Sequence, residues 1–278
     1  MTLSAALPIG GNSTEDEAGN LIDLARYPID RLDSAAAQAF VTDCKKAFNE
    51  TGVCLVKGFL TAQAVEAMRD EAAEVAPQAY YCRKAHTVYL STADESQAPG
   101  DPRRHLEETY VGSVACDLLP PAGPLVSLYR WPPLLDFLAG VIGLPRLYHF
   151  ADPLGAVSIN VLQEDGCHGW HFDEAAFSIT LMLQNAESGG LYEYHPGLRR
   201  DGDQKTDDLA RLLAGDDEGV IRMDFQPGDL LIFAGRKALH RVTRTSGERL
   251  RYVPVLAFSA QEGETNSPEV RRLFWGRS

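Results

Sequence analysis

The stretch Gly166-Cys167-His168-Gly169-Trp170-His171-Phe172-Asp173 is the most informative part of this 278-residue sequence. It reads as the end of a β-strand, and alternate side chains of a strand point to the same face. His171 and Asp173 can therefore bind one metal ion together. Far downstream, Pro227-Gly228-Asp229 opens another predicted strand, which ends near His240. Two imidazoles and one carboxylate, with three open coordination positions, form the facial triad of mononuclear non-haem iron centres.

The order of these residues carries more weight than the H-x-D pair, since so short a motif also arises by chance. H-x-D is followed by several predicted strands, then the Pro-Gly-Asp turn, then His240, and finally Arg251. A planar guanidinium such as that of Arg251 is suited to pairing with the carboxylate of a small molecule. Arg249 lies two residues earlier on the same strand face and is the alternative for that role.

Composition and charge restrict the class of protein and its partners. The formal net charge of −13 disfavours nucleic acid and anionic membranes, which need clustered basic residues. Five cysteines without a C-x-x-C pair indicate reduced thiols. No signal peptide is apparent, and no apolar run approaches the ~20 residues of a membrane span. We therefore expect a cytoplasmic protein with a small-molecule substrate and no nucleic-acid or membrane partner; a homodimer is compatible with the sequence.

The N-terminal half is predicted to be largely helical. Residues 1–20, rich in Gly, Ser, Asn and acids, are expected to form a flexible arm. Further expectations are a helix from Ser34 to Thr51 capped by Asp33, a strand from Val53 to Val56, a helix capped by Thr61, and a short helix from Leu134 to Ile142. The segment from Tyr80 to Arg104 reads as a long irregular loop, and such loops often close active sites.

From Gly155 onward, short apolar runs alternate with Gly, Pro and Asp turn signals. The predicted strands are Val157 to Leu162, Phe177 to Gln184, Leu191 to Tyr194, Val220 to Phe225, Leu230 to Ala234 and Leu250 to Ser259, with a helical segment around Asp207 to Leu213. Many short strands after a helical leader predict a β-sandwich or barrel with helices packed outside. We expect one domain over residues 21–278, with its β core at about 155–260.

The ordered set resembles the Fe(II)- and 2-oxoglutarate-dependent dioxygenases. That resemblance implies a double-stranded β-helix (a jelly-roll, cupin-like core) in an α+β, mainly β fold. His171, Asp173 and His240 match the catalytic metal ligands, and Arg251 matches the residue that binds the cosubstrate. Asn160 lies where members of the family place a polar cosubstrate contact. The implied cofactors are Fe(II), 2-oxoglutarate and O2, with ascorbate as an accessory reductant, and the implied products include succinate and CO2.

A closer resemblance is to the group that acts on free amino acids such as lysine and contains radical halogenases and related hydroxylases. It is carried by His168-x-Trp170-His171-Phe172, by Gly189-Gly190-x-x-Glu193-Tyr194 and by Trp275. Halogenases of that group have Gly at the carboxylate position, whereas this chain has Asp173, which favours hydroxylation of an unactivated C–H. Residues at or near the group's substrate contacts are His168, Glu174, Arg103, Arg104 and Trp275. Val255 and Ala257 depart from the polar contacts expected on the Arg251 strand.

Two other functions remain compatible with the sequence. One is a cupin-type metal enzyme that does not use 2-oxoglutarate, because Pro227-Gly228 and His240 also resemble a cupin turn. The other is a non-catalytic barrel that binds a small carboxylate. Cupins usually take more histidine ligands from their first motif, and they have no need for Arg251. Within the main hypothesis, hydroxylation, desaturation and ring formation would share one site. We expect the remaining histidines, His86, His105, His149 and His195, to have structural or surface roles.

Overall fold

The computed structural model describes residues 18–200 and 203–278. Its strands are β1 (Val53–Val56), β2 (Tyr80–His86), β3 (Glu107–Val114), β4 (Tyr148–His149), β5 (Val157–Leu162), β6 (Cys167–His171), β7 (Ser178–Leu181), β8 (Tyr192–His195), β9 (Arg199–Arg200), β10 (Asp203–Gln204), β11 (Ile221–Met223), β12 (Leu230–Phe233), β13 (Leu239–Val242), β14 (Arg251–Leu256) and β15 (Phe258–Ser259). Its helices are α1 (Ala35–Thr51), α2 (Ala62–Val75), α3 (Pro124–Arg130), α4 (Pro132–Ile142), α5 (Thr206–Leu213) and α6 (Pro268–Trp275).

Eleven strands form one curled antiparallel sheet in the order β1-β12-β7-β14-β5-β3-β6-β13-β8-β11, with β2 paired to β3. The curl is centred on β3, which pairs with β5 through Gly112 to Val114 and with β6 through Thr109 and Tyr110. β3 thus joins a larger sheet, which contains β14 and β7, to a smaller sheet of β6, β13, β8 and β11. This is the jelly-roll fold expected from the sequence.

The helices of the N-terminal half pack on the outer face of the larger sheet. Phe59, Phe137 and Leu138 share one buried cluster with outward residues of the strands, such as Ile159 and Leu256. Ser34 caps α1 by accepting a hydrogen bond from the backbone N–H of Ala37, so the cap is one residue later than predicted. A second cluster fills the inside of the barrel and contains Met182, Tyr192, Tyr194, Leu231, Phe233 and Val253.

The turn that opens β12 is fixed by a buried carboxylate. Gly228 has a φ of +94°, a conformation that suits glycine. Asp229 is 2% exposed and accepts hydrogen bonds from the backbone N–H groups of Gly58 and Gln226, both at 2.8 Å. Lys57 adds an ion pair at 3.1 Å. The Pro-Gly-Asp signal therefore marks a turn that is also tied to the end of β1.

Several sequence-based boundaries differ from the structure. Residues 1–17 of the expected arm lie outside the described residues, but Ala18 is buried and does not belong to an arm. The segment after Tyr80 begins as a regular strand, β2, rather than as an irregular loop. The sheet also takes β1, β2 and β3 from the N-terminal half, so the β core is not confined to residues 155–260. The sequence predicted β1 as a strand but not as part of this sheet, and it did not predict β2 and β3, because the partners of all three strands include residues distant in sequence.

The five cysteines are all free thiols, as expected. Among the described residues, no single helix is long and apolar enough to cross a membrane. The pair α3 and α4 meets that length and composition test only when both are counted across a 59° bend.

Candidate active site

The three predicted ligands meet at the end of β6 and the start of β13. His171 and His240 are directly opposite each other in the β6–β13 ladder, and Asp173 follows β6. Asp173 Oδ1 lies 3.4 Å from His171 Nε2 and 3.6 Å from His240 Nε2. One ligand atom from each residue lies within 4.8 Å of the others. This is the geometry that the two-histidine, one-carboxylate pattern predicted.

Hydrogen bonds to the backbone orient both imidazoles. His171 Nδ1 lies 2.8 Å from the carbonyl of Gly169, and His240 Nδ1 lies 3.0 Å from the carbonyl of Ala238. In each case Nδ1 donates, because a carbonyl only accepts, and the neutral ring then has its lone pair on Nε2. Both lone pairs face Asp173. Backbone contacts of this kind are the usual support of histidine ligands.

Asp173 is held by its second oxygen, which leaves Oδ1 available. Asp173 Oδ2 accepts a hydrogen bond of 2.6 Å from the Ser178 hydroxyl. The carboxylate lies against the backbone of Gly235, where a Cβ would come within 2.1 Å of Oδ2. A side chain at position 235 would therefore displace Asp173. The Asp173 backbone N–H donates to the Gly235 carbonyl at 3.0 Å, which fixes the same contact.

The electrostatics favour the protonation states that a metal requires. Burial, reinforced by His171, lowers the pKa of His240 to about 4, despite an opposing effect of Asp173. Burial alone would raise the pKa of Asp173, but His240, His171 and the Ser178 hydroxyl together hold it below its usual value. At neutral pH the site thus presents the neutral imidazole of His240 and the ionised carboxylate of Asp173. Metal ligands must be in these forms, so the three residues fit a divalent ion.

A β-bulge in β6 brings a third histidine to the metal ligands. Along β13 the paired positions are two residues apart, His240 and Val242, but their partners on β6 are three apart, His171 and His168. The extra residue places both β6 histidines on one face, with ring centroids 3.6 Å apart. His168 Nε2 is buried and has no hydrogen-bond partner among the described residues. Burial and the neighbouring histidines keep the pKa of His168 well below its usual value.

His86, expected to be structural, lies beside this cluster. Its ring centroid is 6.1 Å from that of His168 and 6.3 Å from that of His171. Its Nδ1 donates to the Thr87 carbonyl at 2.8 Å, and its Nε2 accepts from the Thr109 hydroxyl at 2.6 Å. His86 therefore has both ring nitrogens satisfied and supports the wall next to His168. Sequence spacing did not reveal this position, because β2 reaches β6 only through β3.

Arg251 lies in the barrel interior at the start of β14, and the described residues provide no counter-ion for it. It is 2% exposed, and its Nε has no hydrogen-bond partner in the described part of the chain. Burial lowers the pKa of Arg251 to about 10, so the side chain is still charged at neutral pH. Gly190 gives it room, since a Cβ at that position would lie 2.9 Å from Arg251 Cδ.

Tyr192 is a site residue that the sequence analysis missed. Its ring stacks on His240 with centroids 5.7 Å apart, and its hydroxyl is buried without a partner among the described residues. Burial raises the pKa of Tyr192 well above its usual value, as does Asp173, so the hydroxyl stays protonated and can donate. Its β8 position opposite Val242 places it on the inner face. Strand alternation around Glu193 was the signal that could have identified it.

The alternative arginine, Arg249, lies outside the barrel interior. Its guanidinium donates to the carbonyls of Asn185 at 3.0 Å and Ala186 at 2.9 Å. These bonds fasten the loop before β8. Asn160, in contrast, lies on the inner face opposite Val253, with its Oδ1 3.5 Å from the Ser113 hydroxyl. Of the three predicted cosubstrate residues, the structure brings Arg251 and Asn160 to the interior and leaves Arg249 at its edge.

The other predicted substrate contacts are not gathered around the metal ligands. Arg103 forms a two-bond ion pair with Asp101, at 2.9 and 2.7 Å, and Arg104 pairs with Glu95 at 2.8 Å. These partners belong to the segment between β2 and β3. Glu174 has an exposed side chain, and its backbone carbonyl accepts hydrogen bonds from Arg236. Their roles as substrate contacts stay predictions.

Trp275 packs in a small cluster beside the barrel. It is 8% exposed and is buried with Ala115 and Leu154. A Cβ at Gly155 would lie 2.8 Å from its ring. The preceding residue of α6, Phe274, approaches the metal site instead, since its ring lies 6.3 Å from that of His168. The C-terminal helix therefore covers this side of the site through Phe274, and substrate contact by Trp275 stays a prediction.

Several solved structures have a fold similar to that of this chain. An oxidoreductase of the 2OG-Fe(II) oxygenase family from Burkholderia pseudomallei is 15% identical, with a TM-score of 0.52, over 81% of this chain and 92% of that chain. HygX from Streptomyces hygroscopicus, solved with nickel, 2-oxoglutarate and hygromycin B, is 14% identical, with a TM-score of 0.53, over 78% and 86%. The alpha-ketoglutarate-dependent epimerase SnoN from nogalamycin biosynthesis is 15% identical, with a TM-score of 0.55, over 80% and 83%. At these identities the likeness establishes the fold.

A search of curated proteins found no match. The family model described as Halogenase D matches residues 36–272, a span that contains all three candidate metal ligands and Arg251. The match covers most of the chain, and the chain therefore belongs to the Halogenase D family.

Proposed function

We propose that the protein is an Fe(II)- and 2-oxoglutarate-dependent dioxygenase that hydroxylates an unactivated C–H of a small molecule. Its substrate would be a free or modified amino acid, and succinate and CO2 would be released. The single observation that carries the proposal is the convergence of His171 Nε2, Asp173 Oδ1 and His240 Nε2, all within 4.8 Å of one another. Three ligands on one side leave positions for a bidentate cosubstrate and O2.

Hydroxylation is favoured over halogenation by the carboxylate of Asp173. A halogenase needs an open coordination position for chloride, and a glycine in place of the aspartate provides it. Asp173 occupies that position, anchored by Ser178 and packed against Gly235. The family name makes halogenation the second candidate. Chlorination of a substrate by the wild-type protein would overturn the hydroxylase assignment, whereas chlorination only by Asp173→Gly with added chloride would support it.

The cosubstrate would lie between the metal ligands and Arg251. Arg251 is a buried cation with no counter-ion in the part of the chain that the structure describes, and burying an unpaired charge is costly. A carboxylate supplied by the cosubstrate would offset that cost. The unpaired Tyr192 hydroxyl lines the same cavity as Arg251 and would donate a second hydrogen bond. Asn160 faces the interior and is a weaker candidate for a polar contact.

When bound, Fe(II) and 2-oxoglutarate would supply the activation of O2 and the oxidation of the substrate C–H. The protein would position the ligand side chains and the substrate, and it would exclude water from the site. Gly169 and Ala238 fix the rotation of the two imidazoles through their carbonyls, and Ser178 fixes the free oxygen of Asp173. His168, with its unpaired Nε2 beside His171, would contact a polar group of the substrate. Phe274 would limit access of water from above that ring.

We also infer that residues 21–278 act as one cytoplasmic domain. This inference is supported by the shared cluster that joins the helices to the larger sheet. A cupin-type enzyme without 2-oxoglutarate and a non-catalytic carboxylate-binding barrel are the remaining alternatives, and both give different results in the titration below.

The test is an anaerobic titration of the apo-protein with Fe(II) and then 2-oxoglutarate, followed through the visible metal-to-ligand charge-transfer band. The wild type is expected to develop the band. His240→Ala should abolish the band. His195→Ala should leave the band unchanged, because His195 lies on β8 opposite Leu239, the residue before His240, and its Nδ1 contacts the Pro196 carbonyl.

Two arginine variants complete the titration. Arg251→Ala should weaken 2-oxoglutarate binding by roughly 100-fold, as expected for removing one partner of a buried charge pair. Arg249→Ala should change it by less than about threefold. A folded protein without the band would exclude the cosubstrate and favour the two alternatives.

A further inference from the structure

A cleft of about 480 Å³ opens to solvent at the end of the barrel where β14 begins. Its rim is formed by the loop of residues 185–191 and by the end of β11 with the residues that follow it, 222–226. The metal ligand Asp173 and its partner Ser178 lie toward the other end, where β7 starts and the six-residue β14 ends. The floor of the cleft nevertheless reaches the metal ligands, because Tyr192 lines the cleft and stacks on His240 with ring centroids 5.7 Å apart. We call this opening the far-end cleft.

The floor of the far-end cleft holds two buried polar groups without partners. These are Tyr192 Oη and Arg251 Nε, and both residues line the cleft. They are 6% and 2% exposed, so neither depends on bulk water for its hydrogen bonds. Buried polar groups are nearly always satisfied in folded proteins, and an unsatisfied pair facing a cavity indicates a ligand group. A hydroxyl donor beside a guanidinium is complementary to a carboxylate.

The charged residues of the rim are already paired. Asp224 forms an ion pair with Lys57 at 2.9 Å, and Arg222 is held by Glu193 at 2.7 Å. Glu187 accepts hydrogen bonds from the backbone N–H groups of residues 248 and 249. Arg251 is thus the cation of this cleft that lacks a counter-ion among the described residues. The ligand group that enters should be an anion.

Apolar side chains line part of the wall between the floor and the rim. Met182 and Phe225 are buried, and Met223 is half-buried between them and the solvent. Leu191 lies at the rim and is 40% exposed. Side chains of this kind suit a chain of methylene groups rather than a second charged group. The volume of about 480 Å³ is within the range of small-molecule sites, ~300–1,000 Å³.

We propose that the far-end cleft extends the oxo-acid subsite, so that the protein accepts 2-oxo dicarboxylates longer than 2-oxoglutarate, such as 2-oxoadipate. This inference rests on the proposed function. In a barrel closed behind the arginine, an added methylene group would push the distal carboxylate into the wall. Here the space continues past Arg251 and Tyr192 along the apolar wall. The longer acid would place its distal carboxylate one methylene group farther out, on the cleft side of these two donors.

The test is calorimetric binding of 2-oxoglutarate and 2-oxoadipate to the anaerobic, Fe(II)-loaded protein. The two dissociation constants are expected to agree within about tenfold in the wild type. Leu191→Trp fills the cleft and should weaken 2-oxoadipate at least about tenfold, with 2-oxoglutarate changed by less than about threefold. Leu106→Trp is the matched control, because Leu106 is also exposed, at 49%, and is outside the cleft. It should change neither constant.

Three results would contradict the inference in different ways. Binding of 2-oxoadipate more than about 100-fold weaker than that of 2-oxoglutarate would show that the subsite is closed. If Leu191→Trp weakens the binding of both acids equally, the cleft does not accommodate the additional length of 2-oxoadipate. Absence of binding by either acid would overturn the proposed function, and with it this inference, whereas binding of 2-oxoglutarate alone overturns only the inference.

Discussion

The two faces of the smaller sheet differ in what their buried polar atoms contact. On the outer face, Glu193 is 2% exposed and bonds two arginines, Arg222 and Arg241, at 2.7 to 2.9 Å. Arg241 also lies over the Trp170 ring at 4.5 Å. On the inner face, Tyr192 Oη has no partner among the described residues. On the outer face, the Glu193 carboxylate therefore has its hydrogen-bond partners within the folded chain.

The inner face has further buried polar atoms that the proposed ligand would satisfy. His168 Nε2 and, on the facing strand β14, Arg251 Nε also lack partners in the described part of the chain. Neighbouring positions of one strand thus differ in role. Glu193 stabilises the barrel through its ion pairs, and the Tyr192 hydroxyl is available to donate a hydrogen bond to a ligand. Buried polar atoms that lack a hydrogen-bond partner are expected at functional sites. Three variants test this difference between the two faces.

The largest loss of thermal stability is expected on the outer face. Glu193→Gln removes the buried charge that holds Arg222 and Arg241, whose side chains are 66% and 31% exposed. Because water can solvate the released arginines, the cost should lie below that of a fully buried pair, at about 2 kcal/mol of unfolding free energy. For a chain of this size the melting temperature should fall by roughly 4–8 °C. The measurement is thermal unfolding of the apo-protein, in which no ligand can compensate.

The matched control for Glu193 is Glu108. Its carboxylate also bridges two arginines, Arg83 at 3.1 Å and Arg244 at 2.6 Å, but its side chain is 38% exposed. Exposed pairs contribute about 0–1 kcal/mol, so Glu108→Gln should lower the melting temperature by at most roughly 3 °C. Equal losses of melting temperature in Glu193→Gln and Glu108→Gln would mean that burial of the carboxylate does not strengthen its ion pairs.

A buried carboxylate outside the barrel tests whether every unpaired polar atom marks a ligand site. Glu71 of α2 is 7% exposed, and its Oε1 has no partner among the described residues. Burial raises the pKa of Glu71 to about 7, although its bond from the Leu125 backbone N–H opposes this. Below pH 4.5 the carboxyl is protonated in both folded and unfolded states. Between pH 4.5 and 7 only the unfolded state ionises, so stability falls as pH rises.

Glu71→Gln should remove this pH dependence. The unfolding free energy of the wild type, measured relative to the variant by urea titration, should fall by about 2–3 kcal/mol between pH 5 and pH 8. Glu66→Gln, an exposed change in the same helix, is the control and should follow the wild type. If the difference in unfolding free energy between wild type and Glu71→Gln does not change with pH, Glu71 has a partner that satisfies its charge.

The sequence predicted those parts of the site that depend on local spacing. His171 and Asp173 share a face because they are two residues apart, and the turn before β12 followed from Pro-Gly-Asp. Parts that depend on long-range register were missed. The position of His86 beside His168 requires β2 to pair with β3 and β3 with β6, and it also requires a bulge in β6. Neither the pairing nor the bulge is encoded in a local pattern.

The predicted substrate contacts of the irregular segment illustrate the same limit. Arg103 and Arg104 were selected as basic residues in an acidic protein, yet each has a carboxylate partner in its own loop. Sequence alone shows which charges exist but not which are already neutralised. Arg251 and Arg249 were equivalent by spacing, and only burial and hydrogen bonding distinguish them. The roles of these arginines in binding stay predictions until they are measured.

The smallest effect, and the most specific for the inner face, is expected from Tyr192→Phe. The hydroxyl has no hydrogen-bond partner among residues 18–200 and 203–278, so its removal abolishes a desolvation cost without loss of a hydrogen bond there. The apo-protein should become more stable by up to about 1 kcal/mol, while 2-oxoglutarate binding should weaken by roughly tenfold. A polar group that only supports the fold would give the opposite sign of stability change. Tyr194→Phe, on the same strand face but nearer its end, should leave cosubstrate binding unchanged within about threefold, so a loss in both variants would assign the effect to packing.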